Sequence, residues 1–185
     1  MAGRRGGALE FAAGDHDQRN QAGCVALLGL EAVDWSGGLT VEAWVCFTDL
    51  VRERTYEIVS NTVNDRGPGW RLILSWASLS LRSGEGGDGQ TWGAATKPSA
   101  VGFRVGEWYH MAGTYDGAIF RVYVDGALAG QSEGQLALTP GESTVWVGAY
   151  RGGYAYGLDA LVDDVRLYDY ARSPAQVMMD AKLGD

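Results

Sequence analysis

The sequence predicts an all-β sandwich of two antiparallel sheets, and three observations carry that reading. Helical periodicity is nearly absent along the 185 residues. Short apolar or alternating runs recur from end to end, which is the pattern of half-buried strands. Turns rich in glycine, of which the chain has 28, separate those runs at the spacing of a β-sandwich. The composition, 46% apolar and 21% charged, is that of one ordinary globular domain and excludes disorder, collagen and coiled coil. A chain of this length buries about 70% of the surface its unfolded form exposes, so a core needs neither metal nor disulfide.

The strands can be taken in chain order. Thr40 to Phe47 alternates, with Val41, Ala43, Val45 and Phe47 on one face and Glu42, Trp44 and Cys46 on the other, as a central strand requires. Tyr56 to Ser60, Trp70 to Ser75, Ser78 to Arg82 and Trp108 to Tyr115 read as strands bounded by Gly, Pro, Asn or Asp. The pairs Asp116-Gly117 and Asp125-Gly126 predict type I′ hairpins, because such turns need positive φ at both central residues. Ile119 to Val124 alternates between them. Ser143 to Ala149 and Leu161 to Tyr168 complete the strands. One helix is expected: Ser173 caps it, Pro174 takes its first position, Gln176 completes a capping box, and it ends by Leu183. The stretches 14–23, 61–69 and 84–98 receive no element, and loops of that length are usually functional or metal-stabilised.

The net charge of −8 sets the surface against phosphate backbones and anionic headgroups, so nucleic acid and membrane surfaces are excluded as partners. It suits carboxylate-held divalent cations and neutral polar ligands such as sugars. No run of eighteen apolar residues predicts membrane insertion. The start, MAGRRGG (1–7), is basic, reads as a flexible segment before a domain over 8–185, and leads into no apolar stretch, so no signal peptide is visible. Either the chain works inside a cell or a leader or larger parent has been removed. Cys46 lies in an apolar run, where a buried free thiol is the favoured state, with a bridge to Cys24 the alternative.

The motifs LTVEAWV (39–45), WYHMAGTYDG (108–117), RVYVDG (121–126) and VDDVRLY (162–168), in this order and spacing, resemble the laminin-G-like, concanavalin A-like jelly rolls. The resemblance runs from ALEF (8–11), similar to the family's first strand, to the closing helix. It implies a two-sheet antiparallel jelly-roll sandwich with a short C-terminal helix. The family spans glycan-binding modules, adhesion domains, pentraxin-like lectins and enzyme appendages, so function must come from the site. Trp44 and Trp108 are expected in the packing between the sheets, and His110 as a satisfied sheet histidine.

Enzymatic readings find little support in the residues. Glucanases of this fold carry Glu-x-Asp-x-x-Glu or Glu-x-Asp-x-Glu on one strand, which puts nucleophile and acid on one face at the short separation retention needs. Here Glu42, Glu57 and Glu107 stand on separate segments, and Asp163 and Asp164 point to opposite faces. The lyase pattern of Gln and His on one strand is missing too. His16 and His110 are the two histidines, too few for a triad or a His-based metal cluster. GEGGDG (84–89) leads into no helix and reads as a mobile loop, not a phosphate cradle.

Two constellations remain. The resemblance implies a calcium ion pinning the loop after the first strand to the last strand, here through Asp15, Asp17 and Asp163, with carbonyls and waters completing its shell. The second is aromatic: Tyr150, Arg151, Tyr154 and Tyr156 on a glycine loop, joined by Trp92, with Asn61, Asn64, Asp65 and Arg66 as polar groups on a neighbouring rim. Sugar C–H faces stack on such rings while Arg, Asn and Asp bond the hydroxyls. Together these predict a non-catalytic, lectin-like carbohydrate-binding module, calcium-stabilised, extracellular or surface-associated. The alternative is a structural or adhesion subunit of a virion, injection apparatus or surface array whose loops meet a protein partner.

Overall fold

A computed structural model of the chain describes residues 2–3, 6–13, 22–30, 32–62, 68–86, 90–96, 101–137 and 144–183, with the side chains of all but 2, 3, 85, 86 and 90–92. Its elements are β1 (Ala2–Gly3), β2 (Gly6–Gly7), β3 (Leu9–Phe11), β4 (Val25–Leu27), β5 (Leu39–Phe47), β6 (Thr55–Ser60), β7 (Trp70–Ser75), β8 (Ser78–Gly86), β9 (Gln90–Ala95), β10 (Trp108–Tyr115), β11 (Ile119–Val124), β12 (Ala127–Glu133), β13 (Val145–Val147), β14 (Ala160–Tyr168) and α1 (Pro174–Lys182). β1 and β2 form a minimal ladder of their own. The others build two six-stranded antiparallel sheets, a first in the order β12-β11-β10-β5-β14-β3 and a second in the order β4-β13-β6-β7-β8-β9.

The core lies between these sheets. Val41, Ala43, Val45 and Phe47 of β5, Met111 of β10 and Phe120 and Val122 of β11 form one cluster with Ile58, Leu72, Leu74, Leu79 and Leu81 of the second sheet, all buried. Each such aliphatic or aromatic side chain, fully buried, contributes about 1.5–3 kcal/mol relative to exposure. One irregularity decides which side chains reach the outer face of the second sheet. β6 pairs Glu57 with Ile73 but Val59 with Leu72, so Ile58 is an extra residue in the strand. This bulge lets consecutive Ile58 and Val59 both enter the core while Glu57 and Ser60 both stay on the outer face.

The outer face of the first sheet is roofed by α1. Val177 packs on Ala112 and Tyr123. Asp180, nearly buried, receives Arg166 Nη1 at 2.8 Å and also pairs with Arg172. Beneath the roof Glu42 Oε2 stands 3.5 Å from His110 Nε2, and His110 meets Trp44 edge to face. The predicted cap is present in full, with Ser173 accepting from Gln176 N–H and Gln176 accepting from Ser173 N–H.

Several expectations are corrected. Trp44 is buried but on this outer face with His110, and Trp108, opposite Cys46 in register, is likewise outside the inter-sheet cluster. Trp44 is packed there against His110, and Trp108 is only half-buried. Asp125-Gly126 has positive φ at both positions, as a type I′ turn requires. At the other hairpin Asp116 pairs with Ile119, so the loop is Gly117-Ala118, positive only at Gly117, and Asp116 Oδ1 accepts from Ala118 and Ile119 N–H. Residues 90–95, expected in a loop, form β9. Both cysteines are free thiols, and burial raises the Cys46 pKa.

Candidate functional site

Between β13 and β14 the chain makes a compact loop on the outer face of the second sheet. Gly148 N–H donates to the Ile58 carbonyl at 3.0 Å, Leu158 N–H to the Gly148 carbonyl at 2.8 Å and Glu57 N–H to the Tyr156 carbonyl at 2.8 Å. These bonds close the loop at its neck and stitch it to β6. Within it, Tyr154 N–H donates to the Tyr150 carbonyl at 2.9 Å. Arg151 and Tyr156 adopt φ of +47° and +54°, flanking Gly152 and Gly153 at +68° and +94°. A non-glycine residue in this region costs of order 1–3 kcal/mol, and such strain gathers at ligand clamps. A Cβ at Gly153 would strike the Ala22 carbonyl, so glycine brings the loop against the foot of the 14–21 segment.

Three tyrosines meet there. The Tyr150 ring lies 6.3 Å from Tyr154 and 5.8 Å from Tyr156, centroid to centroid. Arg71 Cζ stands 5.1 Å from the Tyr150 centroid and 5.3 Å from that of Tyr156, and Arg151 Cζ stands 6.0 and 5.9 Å from Tyr150 and Tyr154. Tyr150 is buried, Tyr154 and Tyr156 are half-buried, and Arg151 is exposed. Glu57, wholly buried, fixes Arg71 through contacts of 2.9 and 3.2 Å to Nε and 2.6 Å to Nη2. A planar fork held this way cannot rotate freely, so its face is set against the rings. A buried ion pair adds little net stability, yet losing one partner costs about 3–5 kcal/mol. Its contribution here is orientation.

Strand register extends the site. Trp146 pairs with Ser60, Ser60 with Arg71, Arg71 with Arg82 and Arg82 with Gly93. Directly opposed residues share a face, so these make one row, about 14 Å from Trp146 to Arg82 at ~4.8 Å per strand. Val145 and Val147 enter the core, which puts half-buried Trp146 outside, under Gly152. Arg82 is half-buried as well. Burial first, and then the Arg71 cation, depresses its pKa below the usual guanidinium range.

The structure therefore brings together Tyr150, Arg151, Tyr154 and Tyr156. It places the backbone of Trp92 on β9, opposite Ser83 and two strands beyond β7. Asn64, Asp65 and Arg66 lie outside the described residues. Asn61 is committed to the end of the β6–β7 pair, where its Oδ1 accepts from Trp70 N–H at 2.8 Å. Glu57, Arg71, Arg82 and Trp146 were not expected. The alternation Val145-Trp146-Val147 signals the last of these, whereas nothing in one sequence reveals the bulge that turns Glu57 toward Arg71.

Of the residues for calcium, Asp15 and Asp17 lie outside the described residues. Asp163 is on β14 opposite Trp44, on the first sheet, and its Oδ1 accepts from Asp164 N–H at 2.8 Å. The described carboxylate at the root of the 14–21 segment is Asp159, whose Oδ1 accepts from Ala13 N–H at 2.8 Å. Among the described residues no three of His, Cys, Asp and Glu are grouped to hold a metal. By sequence, the 14–21 stretch between Ala13 and Ala22 carries Asp15 and Asp17, oxygen donors of the kind calcium takes.

This sandwich defines its class. The chain belongs to the Concanavalin A-like lectin/glucanases superfamily, whose family model matches residues 20–178. Solved structures of the same fold include a heptameric SAP-like pentraxin from Limulus polyphemus, 18% identical, with a TM-score of 0.59 over 78% of this chain and 70% of that one. The binding domain of Paraclostridial Mosquitocidal Protein 1 is 14% identical, with a TM-score of 0.71 over 98% of this chain and 44% of that one. The botulinum neurotoxin serotype C1 binding domain is 11% identical, with a TM-score of 0.59 over 80% and 37%. The chain spans less than half the length of these two toxin domains, and at such identities the likeness is one of fold. No curated protein matches it. No helix among the described residues is long and apolar enough to cross a membrane.

Proposed function

We propose that the chain is a non-catalytic, lectin-like module that holds a saccharide on the outer face of the second sheet, over the loop closed by Gly148 and Leu158. The observation that carries this reading is the cluster of Tyr150, Tyr154 and Tyr156 with Arg71 and Arg151, in a loop with two strained non-glycine residues. Half-buried rings offer an apolar face to sugar C–H groups, and guanidiniums beside them donate to ring hydroxyls. Glu57, the described carboxylate at the site, is spent on Arg71 and is a poor candidate for acid or base. The presence of binding domains among the fold neighbours is compatible with this reading. Calcium belongs to it as an ordering ion: bound by Asp15 and Asp17 with oxygens near Asp159, it would stiffen the 14–21 stretch up to Ala22, the residue that Gly153 meets.

A glycan array followed by titration calorimetry tests this. The expected result is saccharide binding that Tyr154→Ala and Tyr156→Ala weaken without unfolding the protein. No bound glycan, with those same substitutions dissolving an assembly on a sizing column, would favour the adhesion or structural subunit instead. Release of reducing ends or unsaturated uronates from a polysaccharide panel, abolished by a single carboxylate or tyrosine substitution, would overturn the non-catalytic part.

A further inference from the structure

Arg71 and Arg82 are direct cross-strand partners on the outer face of the second sheet. Like charges so placed repel, and the repulsion grows as water is excluded. Arg71 is neutralised by Glu57 at 2.6 Å. Arg82 makes no ion pair among the described residues, although it is half-buried. The other described strand-borne arginines all have acidic partners: Arg71 has Glu57, Arg121 has Asp116, and Arg166 has Asp164 and Asp180. The face thus gathers Arg71, Arg82 and exposed Arg151 against one described carboxylate, in a chain whose net charge is −8. The depressed pKa of Arg82, from burial and then Arg71, has the same origin.

We infer that the saccharide held at this site is acidic, bearing a carboxylate or sulfate, and that Arg82 is the residue that takes its anionic group. This rests on the lectin reading and deepens it. The tyrosines supply a stacking surface that does not distinguish neutral from acidic sugars. Discrimination falls to Arg82, because a guanidinium fork matches two oxygens of a carboxylate or sulfate and is left partly desolvated by a neutral ligand. The global negative charge favours neutral ligands; the local arrangement of the second sheet reverses that preference.

The test is calorimetry with two matched pairs of probes: oligogalacturonate and its methyl ester, and a heparin-derived oligosaccharide and its desulfated form. In at least one pair the acidic member should bind about ten-fold or more tightly than its neutral partner, a difference of about 1.4 kcal/mol. That preference should shrink as KCl is raised. Arg82→Gln should weaken the acidic member more than its neutral partner, so that the preference is lost, and should not lower the melting temperature, while Arg82→Lys should restore part of the preference. The pair that shows the preference tells uronate from sulfate. Equal binding of both members in both pairs, or an equal loss of both in Arg82→Gln, overturns the acidic inference and leaves the lectin reading standing, as does binding of other neutral glycans alone. If neither these probes nor any arrayed glycan binds, both fail together.

Discussion

On the outer face of the first sheet, Arg121 pairs with Asp116 at 2.6 Å and Arg166 with Asp164 and Asp180 at 2.7 and 2.8 Å. On the outer face of the second, Arg71 has Glu57 and Arg82 has no described partner. The two roofs differ in the same sense. Over the first lies a capped helix whose Val177 seals onto Ala112 and Tyr123. Over the second lies an irregular loop with Arg151 and Tyr156 in strained conformations and its rings half open to solvent. Both faces contain buried charge, so burial alone does not mark a site. What sets the second face apart is Arg82, a strand-borne arginine with no acidic partner among the described residues. The first face also has an arginine over half-buried Tyr168 and has Asp164 at a φ of +51°, so rings and backbone strain alone do not mark a site.

The largest effect should come from breaking the pair that organises the open face. Glu57→Gln removes the described counter-ion of buried Arg71 and should cost about 3–5 kcal/mol in denaturant unfolding. Tyr150→Ala, which removes a ring that is 2% exposed, should cost a similar ~3–5 kcal/mol. Replacing both members, Glu57→Leu with Arg71→Met, should return stability to within about 1 kcal/mol of the parent, since apolar residues can substitute for a buried pair. Saccharide binding should stay lost. A single substitution costing under about 1 kcal/mol would mean that the pair is solvated, and the contrast between the faces would dissolve.

Calcium should come next, and it sharpens the comparison by acting on one roof. At a hundred times its dissociation constant an ion adds about 2.7 kcal/mol, a rise of several degrees in melting temperature for a chain this size. Asp15→Ala and Asp17→Ala should abolish that rise, and EDTA should reverse it. An equal loss in Asp163→Ala would bring the ion to β14 of the first sheet. A melting curve that ignores both calcium and EDTA would mean that no such ion orders the segment.

A smaller effect is expected from the closed face. Asp180→Ala removes charge-assisted contacts to Arg166 and Arg172, which retain some access to water, so about 2 kcal/mol is expected in unfolding experiments. Saccharide affinity should not change. An affinity loss there would show that the two faces are coupled through the core.

Much of this fold is legible in the sequence where one face of a strand is apolar. β5, β7, β10 and β11 alternate cleanly, and the capping box announces α1. β12 is exposed or half-exposed throughout, β9 is interrupted by Gly93, and β4 has three residues; none carries a periodic apolar signal. Trp44 shows the limit of composition: alternation puts it on the face with Glu42, while its bulk argues for the core between the sheets, and alternation is the better guide. The tyrosine loop is legible because aromatics among glycines lack strand neighbours. Arg71, Glu57 and Arg82 are not, because their meeting depends on cross-strand register and on one extra residue in β6.

The smallest expected effect separates two rings of one loop. Tyr154 is half-buried and lies 6.3 Å from Tyr150, at the exposed edge of the cluster near Arg151. If the open face is a stacking platform, Tyr154→Ala should weaken saccharide binding by about 1 kcal/mol, roughly five-fold, taking the worth of an aromatic contact as the guide. Stability should fall by much less than in Tyr150→Ala, because truncating a ring already in contact with water leaves no sealed cavity. Calorimetric titration beside thermal unfolding reads both quantities on one preparation. Unchanged affinity with a stability loss approaching that of Tyr150→Ala would make Tyr154 part of the roof's packing. The ligand surface would then narrow to Tyr156, Trp146 and the arginine row.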